Sequence, residues 1–164
     1  PALYNRGEVT VAVSEGIRRE LLELGVERAE AIPNFFDVPA IQRAATAELP
    51  PEGAGLFDTD DVLVTSGRLS AQKNQLELLR LYAALKAARP GLRLAILGDG
   101  ERRDELLAAC DEIGLRTRHP WAHTQTADAS DADVWFLGYQ KNPFSILARA
   151  RLFLFPSSWE GFPL

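Results

Sequence analysis

The stretch VLVTSGRLSAQKNQLELLRLYAAL, residues 62–85, decides the fold, because it joins a strand to a helix through a short polar segment. Its first six residues, 62–67, lack polar alternation, which predicts a strand buried on both faces. A helix is predicted to begin at Asn74, where Glu77 completes a capping box. The predicted buried stripe of that helix comprises Leu78, Leu81, Tyr82 and Leu85.

The same strand-then-helix pattern repeats further along the chain. Residues 100–114 predict a second helix, and Asn142 with Pro143 predicts the start of a short third helix that ends at Ala150. Further strands are predicted at 92–98, 134–138 and 151–157. Strands and helices that alternate at this spacing predict an α/β fold, a Rossmann-like parallel sheet flanked by helices.

The first third of the chain is less regular. A strand is predicted at 9–13, followed by a helix that Ser14 caps and Gly25 ends, and by a second short strand at 29–33. A weakly helical stretch then leads to LPPEGAG, residues 49–55, which has the composition of a linker. Residues 116–133 lack periodicity and predict a surface loop inserted before the third strand of the sheet.

Composition narrows the classes of function. The chain has 164 residues and a net charge of −5, so no nucleic-acid partner is expected. Its single cysteine, Cys110, excludes an internal disulfide and a cysteine-based metal site, and helical register predicts a buried thiol. No apolar run reaches membrane-spanning length and no signal-peptide pattern opens the chain, so a cytoplasmic location is expected.

Small residues and glycines follow all four predicted strands of the sheet. Parallel sheets bind ligands at the carboxyl ends of their strands, so these positions predict a ligand site. GDG at 98–100 carries no specific meaning alone. The strand ends are Ser66-Gly67-Arg68, Gly98-Asp99-Gly100, Gly138-Tyr139 and Ser157 to Gly161.

Arg68 and Lys73 are the candidate phosphate ligands. Both lie between a strand end and a helix start, where backbone N–H groups add partial positive charge, and together they predict a diphosphate site. The alternative is a pair of solvated surface charges. Tyr139 and Gln140, after the third strand, are candidates for contact with a nucleotide base, although the tyrosine could equally cover the edge of the core.

Glu160 is the candidate ligand for a polyhydroxylated substrate. It follows the last predicted strand, and Gly161 and Phe162 would offer backbone N–H groups beside it. The alternative is a loop glutamate in water. His119 and His123 superficially suggest a metal, but Pro120 interrupts any shared helical face, so no metal is expected.

Several segments of the chain, taken in order, resemble those of a known family. GRLSAQKN, LAILGDGERRDELLAACDEIGL and VWFLGYQKNPFSILARARLFLFPSSWEGFPL together resemble the C-terminal domain of retaining glycosyltransferases of the GT-B fold, most closely family-4 enzymes. VTVAVSEGIRREL with IPNFFD is similar to the end of that family's N-terminal domain. The resemblance implies that 1–50 ends the acceptor domain and forms the linker, while 51–164 is a truncated nucleotide-sugar-binding domain.

The resemblance also implies roles for individual residues. Arg68 and Lys73 match the basic pair that contacts the donor diphosphate, with Gly67 beside them. Glu160 matches the first carboxylate of a two-glutamate motif that holds the transferred sugar, followed by Gly161 and Phe162. Tyr139 and Gln140 fall where the base usually sits. The second glutamate would lie past Leu164, so this chain is expected to be inactive alone.

The implied reaction is transfer of a hexose-type sugar from a nucleoside-diphosphate donor to a glycan, lipid or other acceptor in bacterial polysaccharide or glycoconjugate synthesis. The resemblance implies no metal and no cofactor, and contact with the inner face of the membrane through the N-terminal domain. Surface left uncovered predicts self-association of the chain. Two alternatives keep the same fold: a nucleotide-sugar epimerase or phosphorylase, and a non-catalytic Rossmann-like binding module.

Overall fold

The computed structural model describes residues 1–121, 127–128 and 130–160, and the structural statements below refer to these residues. They form two compact units. Among these residues, one unit comprises 1–37 together with 159–160, and the other lies within Val38–Ser158. The assignment of residues 1–50 to an acceptor domain remains a prediction.

The first unit contains a small parallel β-α-β arrangement. Strand β1 (Thr10–Ala12) pairs with β2 (Ala29–Ala31), and helix α1 (Glu15–Glu23) connects them. The predicted cap is confirmed, because Ser14 Oγ accepts the N–H of Ile17 at 3.2 Å.

The second unit contains a five-stranded parallel sheet with helices on both faces. The strand order is β5-β6-β4-β3-β7. From β3 the chain forms β4, then the edge strand β5, then β6 between them, and finally β7 on the other side of β3. This confirms the predicted α/β class, and it places the topological switch beside β3. The elements are α2 (Val38–Ala45), β3 (Val62–Ser66), α3 (Gln75–Ala88), β4 (Arg93–Leu97), α4 (Arg103–Glu112), β5 (Thr117–Arg118), β6 (Val134–Gly138), α5 (Phe144–Leu147) and β7 (Leu152–Phe153).

The sheet carries an apolar core on each face, as the absence of polar alternation in its strands predicts. Alternate residues of β3 enter different cores, since Leu63 packs with the cluster around Tyr82 and Val64 packs with the cluster around Trp135. Cys110 is fully buried in the first of these clusters, which confirms the predicted core thiol. Burial raises the pKa of this thiol to about 12, so it stays protonated at neutral pH.

The predicted start of α3 is wrong in detail. Asn74 precedes the helix, but its φ is 53° and its side chain makes no capping hydrogen bond. A 3-10 turn at Ala71–Lys73 comes directly before it, and Asn74 adopts the left-handed conformation that joins turn to helix. The capping box with Glu77 is therefore absent.

The buried face of α3 is also rotated relative to the prediction. Leu78 and Tyr82 are buried as expected, whereas Leu81 and Leu85 are 57% and 51% exposed. Gln75 and Leu79 take their place in the interior. The sheet and α4 together decide which side of α3 is covered, and the periodicity of one helix does not contain that information.

Other boundaries differ because edge elements have few neighbours. Among the described strands β7 pairs with β3 alone, and it spans two residues rather than the predicted 151–157. Helix α5 ends at Leu147 rather than Ala150, and its N-cap is Pro143 rather than the predicted Asn142. Asn142 Oδ1 nevertheless accepts the N–H of Phe144, the first helical residue, at 3.2 Å. Strand β5 lies inside the segment predicted to be an irregular insertion.

The segment predicted as a linker, residues 49–55, is part of the second unit. It contains a 3-10 turn at Pro51–Gly53, and Leu56 just after it is fully buried. The preceding helix α2 packs against α5, where Asn142 Nδ2 donates to the Ala44 carbonyl at 2.8 Å.

Asp133 is a buried carboxylate that joins three elements of the second unit. Lys86 Nζ on α3 lies 2.8 Å from its Oδ1, and Arg116 Nε lies 3.1 Å from its Oδ2. Burial would raise the pKa of Asp133, but hydrogen bonds from Arg116 and Lys86 outweigh it and hold that pKa below its usual value. Ionised Asp133 therefore stabilises the fold.

Replacing Asp133 with asparagine is expected to lower the free energy of unfolding by about 2–3 kcal/mol at pH 7, because Lys86 loses its buried partner. Since the folded pKa of Asp133 is depressed, this stabilisation is present above the unfolded value of about 4 and is lost as pH falls below it. Urea unfolding at pH 7 and pH 3 should show the difference from the unsubstituted chain shrinking at pH 3. Asp131→Asn is the matched control, since Asp131 is exposed and 3.8 Å from Arg116, and it should change stability little.

Candidate nucleotide-sugar site

A cleft of about 490 Å³ opens at the carboxyl ends of β3, β4 and β6. This is the edge of the sheet where the sequence predicts a ligand, and the volume suits a small molecule. The lining includes predicted site residues from the first and third strand ends. They are Gly67, Arg68, Tyr139 and Gln140, joined by Asp99 and Lys141.

Backbone hydrogen bonds lock the strand-end loops to one another. The Gly67 N–H donates to the Leu97 carbonyl at 3.0 Å, and the Leu69 N–H donates to the Asp99 carbonyl at 3.1 Å. On the other side, the Gly98 N–H donates to the Gly138 carbonyl at 2.7 Å. The three loops consequently form a preorganised floor for the cleft.

The GDG sequence allows two of these loops to cross in contact. Gly98 has a φ of 123°, and a Cβ built on it would lie 2.9 Å from the carbonyl carbon of Gly67. A Cβ on Gly100 would lie 2.7 Å from the Leu69 nitrogen. Side-chain carbons do not approach backbone atoms so closely, so both positions require glycine. The motif thus has a structural meaning that its sequence alone does not reveal.

Hydrogen bonds hold both the backbone and the side chain of Arg68. Its carbonyl accepts a hydrogen bond from Gln75 Nε2 at 2.9 Å, and Gln75 is 2% exposed. Its side chain is 73% exposed, and Nε donates to Glu101 Oε2 at 3.0 Å. The pKa of Glu101 lies below its usual value, because the Glu101 carboxylate accepts a hydrogen bond from the Glu101 backbone N–H and lies beside the Arg68 guanidinium. Sequence reasoning missed both Gln75 and Glu101.

The Lys73 side chain packs against Gly67, the residue that precedes Arg68. Its side chain passes Gly67 so closely that a Cβ there would be 3.2 Å from Lys73 Cε. Its Nζ lies 5.6 Å from the centre of the Phe155 ring, beyond β7. The Ser158 N–H donates to the Gln72 carbonyl at 2.9 Å, which ties this part of the chain to the turn that carries Lys73. Arg68 and Lys73 therefore both adjoin Gly67.

Tyr139 and Gln140 form the opposite wall of the cleft. The Tyr139 side chain is 80% exposed, so it does not cover the core. Gln140 Nε2 donates to the Leu137 carbonyl at 2.6 Å, which holds this side chain at the end of β6. The wall offers an aromatic face and an amide oxygen to a ligand.

Of the other predicted site residues that the structure describes, neither Lys73 nor Glu160 lines the cleft. Glu160 belongs to the first compact unit, and its contact with a sugar stays a prediction. Gly161, Phe162 and His123 lie outside the described residues. Within the described ranges, no three His, Cys, Asp or Glu side chains are grouped so as to hold a metal ion, and no helix is long and apolar enough to cross a membrane.

Comparison with known proteins identifies the family. The sequence profile described as "Glycosyl transferases group 1" matches residues 60–164, which is well over half of the chain. The chain belongs to this family. The glycosyl transferases group 1 match begins just before β3 and includes every residue that lines the cleft.

Two curated glycosyltransferases illustrate the relationship. An uncharacterised glycosyltransferase of Methanocaldococcus jannaschii is 29% identical over 136 residues, covering 83% of this chain and 30% of the relative. The N-acetylgalactosamine-N,N'-diacetylbacillosaminyl-diphospho-undecaprenol 4-alpha-N-acetylgalactosaminyltransferase of Campylobacter jejuni is 29% identical over 163 residues, covering 98% of this chain and 38% of the relative. The chain thus spans about a third of the length of these relatives.

Solved structures support the fold. TarM of S. aureus, crystallised with UDP, superposes with a TM-score of 0.70 at 18% identity, covering 96% of this chain and 27% of TarM. The predicted GT-B glycosyltransferase fold is confirmed at this level. The retaining mechanism and the family-4 assignment stay predictions.

Proposed function

We propose that this chain forms the donor-binding half of a retaining, metal-independent glycosyltransferase. The reaction moves a hexose-type sugar from a nucleoside diphosphate to a glycan or lipid-linked acceptor in bacterial glycoconjugate synthesis. One observation supports this above all: a cleft at the carboxyl ends of the strands of a parallel sheet is lined by Arg68 and Gly67, and Lys73 lies against the same glycine.

The proposal assigns each part of the donor to a part of the cleft. The diphosphate lies between Arg68 and Lys73, which are linked through Gly67. The base lies toward Tyr139 and Gln140 on the opposite wall. Glu160 orients the transferred sugar by accepting hydrogen bonds from its hydroxyls, and it does not act as a base.

The arrangement suits the charge that develops during transfer. Breaking the bond between sugar and phosphate leaves negative charge on the departing nucleoside diphosphate. Fixed cations stabilise that charge more strongly in the transition state than in the ground state, which accelerates the reaction. Arg68 and Lys73 supply this stabilisation without a divalent ion.

The relatives suggest the acceptor and the location. The Campylobacter enzyme's name specifies a diphospho-undecaprenol acceptor, a lipid-linked glycan. We propose an acceptor of that class for the full-length protein, which places the reaction at the cytoplasmic face of the membrane.

A product assay on the full-length protein tests the reaction. With nucleotide-sugar and acceptor we expect a transferred sugar of retained configuration, at a rate that EDTA leaves unchanged. Isomerised nucleotide-sugar formed without acceptor would identify an epimerase, and sugar phosphate formed with inorganic phosphate would identify a phosphorylase. Absence of all three products would leave the binding-module alternative.

Replacing Tyr139 with alanine is expected to weaken UDP binding about tenfold, because an aromatic platform for the base is lost. Calorimetric titration of the full-length protein with UDP measures the effect. Tyr4→Ala is the matched control, since Tyr4 is also exposed but lies in the first compact unit. Equal affinity for UDP in the two variants would contradict the assignment of the base to this wall.

A further inference from the structure

We propose that Glu101 is a positioning residue for Arg68 that makes the cleft favour the sugar-bearing donor over the released nucleoside diphosphate. This inference rests on the proposed function and assigns a role to a residue that sequence reasoning missed. Its basis is the 3.0 Å contact between Arg68 Nε and Glu101 Oε2 at the mouth of the cleft.

The contact determines how the guanidinium is presented. A guanidinium carries five N–H donors in a rigid plane, and one of them is on Nε. Because Glu101 accepts that donor, the four N–H groups of the two terminal nitrogens stay available for phosphate oxygens. Gln75 holds the backbone end of the same residue, so Glu101 completes a two-point support for an exposed side chain.

The contact also lowers the positive charge that an anion meets. Glu101 is ionised at neutral pH, since its pKa lies below the usual value. Asp99 adds a second carboxylate to the cleft lining, and it lies 3.7 Å from Arg103. The positive charge of Arg68 is therefore partly balanced by Glu101, which limits how strongly this part of the cleft attracts negative charge.

This balance affects donor and product differently. In a nucleotide-sugar each phosphate carries one ester bond and one anhydride bond and therefore a single negative charge, whereas the released diphosphate ends in a phosphate whose second ionisation has a pKa of about 6. At pH 7.5 the product therefore carries nearly one more negative charge than the donor. A carboxylate next to Arg68 repels the product more than the donor, so Glu101 assists product release, a step that often limits turnover.

Glu101→Gln separates charge from positioning. The amide oxygen of glutamine can still accept the Arg68 Nε–H, but the negative charge is removed. We expect the ratio of UDP affinity to UDP-glucose affinity to be about three times higher in Glu101→Gln than in the unsubstituted protein. A change of this size is typical of an interaction between exposed charges. The affinities are measured by calorimetry on the full-length protein at pH 7.5 and low salt, with GDP and GDP-mannose as a second pair.

Three comparisons make the result decisive. Glu105→Gln removes the same charge from a glutamate on α4 that pairs with Arg102, and it should leave the affinity ratio unchanged. Glu101→Ala also removes the hydrogen-bond acceptor of the Arg68 guanidinium. The guanidinium is then no longer held in place, so both ligands should bind more weakly. At about 0.5 M salt the shift seen with Glu101→Gln should largely disappear.

The outcomes separate this inference from the proposed function. If either nucleotide pair binds but Glu101→Gln leaves the ratio as it was, or changes it no more than Glu105→Gln, then the role of Glu101 is overturned while donor binding stands. If neither pair binds the unsubstituted protein, the proposed function fails and the inference falls with it.

Discussion

Replacing Arg68 with alanine in the full-length enzyme should lower kcat for sugar transfer about 100-fold or more. Arg68 lines the cleft, its backbone is held by Gln75 and its guanidinium by Glu101, so its terminal N–H groups are preorganised for a diphosphate. A preorganised donor of this kind contributes chiefly when the leaving group acquires charge, so kcat is affected more than KM. Steady-state kinetics with the native donor measures the split.

Arg80→Ala provides the matched control for this experiment. Arg80 is an exposed arginine on α3 that pairs with Glu77, and it does not line the cleft. Its removal should leave kcat nearly unchanged. Lys73→Ala should show a loss comparable to that of Arg68→Ala, because the Lys73 side chain packs against Gly67. Turnover close to normal in both variants would refute the diphosphate assignment.

Replacing Gly98 with alanine should destabilise the second compact unit by about 3 kcal/mol or more. The new Cβ would meet the Gly67 carbonyl, and the φ of 123° disfavours any side chain. Both loops are held by hydrogen bonds at this crossing, so neither can withdraw without breaking the floor of the cleft. The expected cost combines overpacking with backbone strain.

Two other glycines separate these contributions. Gly114 has a φ of 75° but open space around its Cα, so Gly114→Ala should cost about 1 kcal/mol from strain alone. Gly91 has neither a positive φ nor a close neighbour, so Gly91→Ala should be neutral or slightly stabilising. Urea unfolding followed by tryptophan fluorescence, with Trp135 buried in one core, gives the three free energies of unfolding. A Gly98→Ala variant as stable as Gly91→Ala would show that the loops can separate.

The elements of the sheet were predictable because their signal is local. Residues 62–67 and 134–138 lack the alternation of apolar and polar residues, and they contain the buried strands β3 and β6. Ser14 caps α1 as predicted, since a cap involves residues only three positions apart. The predicted cap at Asn74 was wrong, because the 3-10 turn that precedes Asn74 gives this residue a left-handed backbone.

The candidate site was predictable in outline for the same reason. The rule that parallel strands present ligands at their carboxyl ends needs only the strand positions, and it selected Gly67, Arg68, Tyr139 and Gln140. The supports of Arg68 were not predictable. Glu101 is 33 positions away along the chain, and nothing in its own sequence surroundings distinguishes it from Glu105, which pairs with Arg102 three positions away.

The amino-acid sequence by itself determined the alternation of strands and helices, the sheet edge at which the cleft opens, and the family motifs that carry Arg68 and Lys73. Only the tertiary structure decided that GDG permits two loops to cross, that α3 buries Gln75 instead of Leu81, and that Glu101 meets Arg68. Periodicity and capping are interactions between residues a few positions apart and leave a trace in the sequence. Close approach and ion pairing between distant segments depend on how the elements pack, and that is settled only when the whole sheet has assembled.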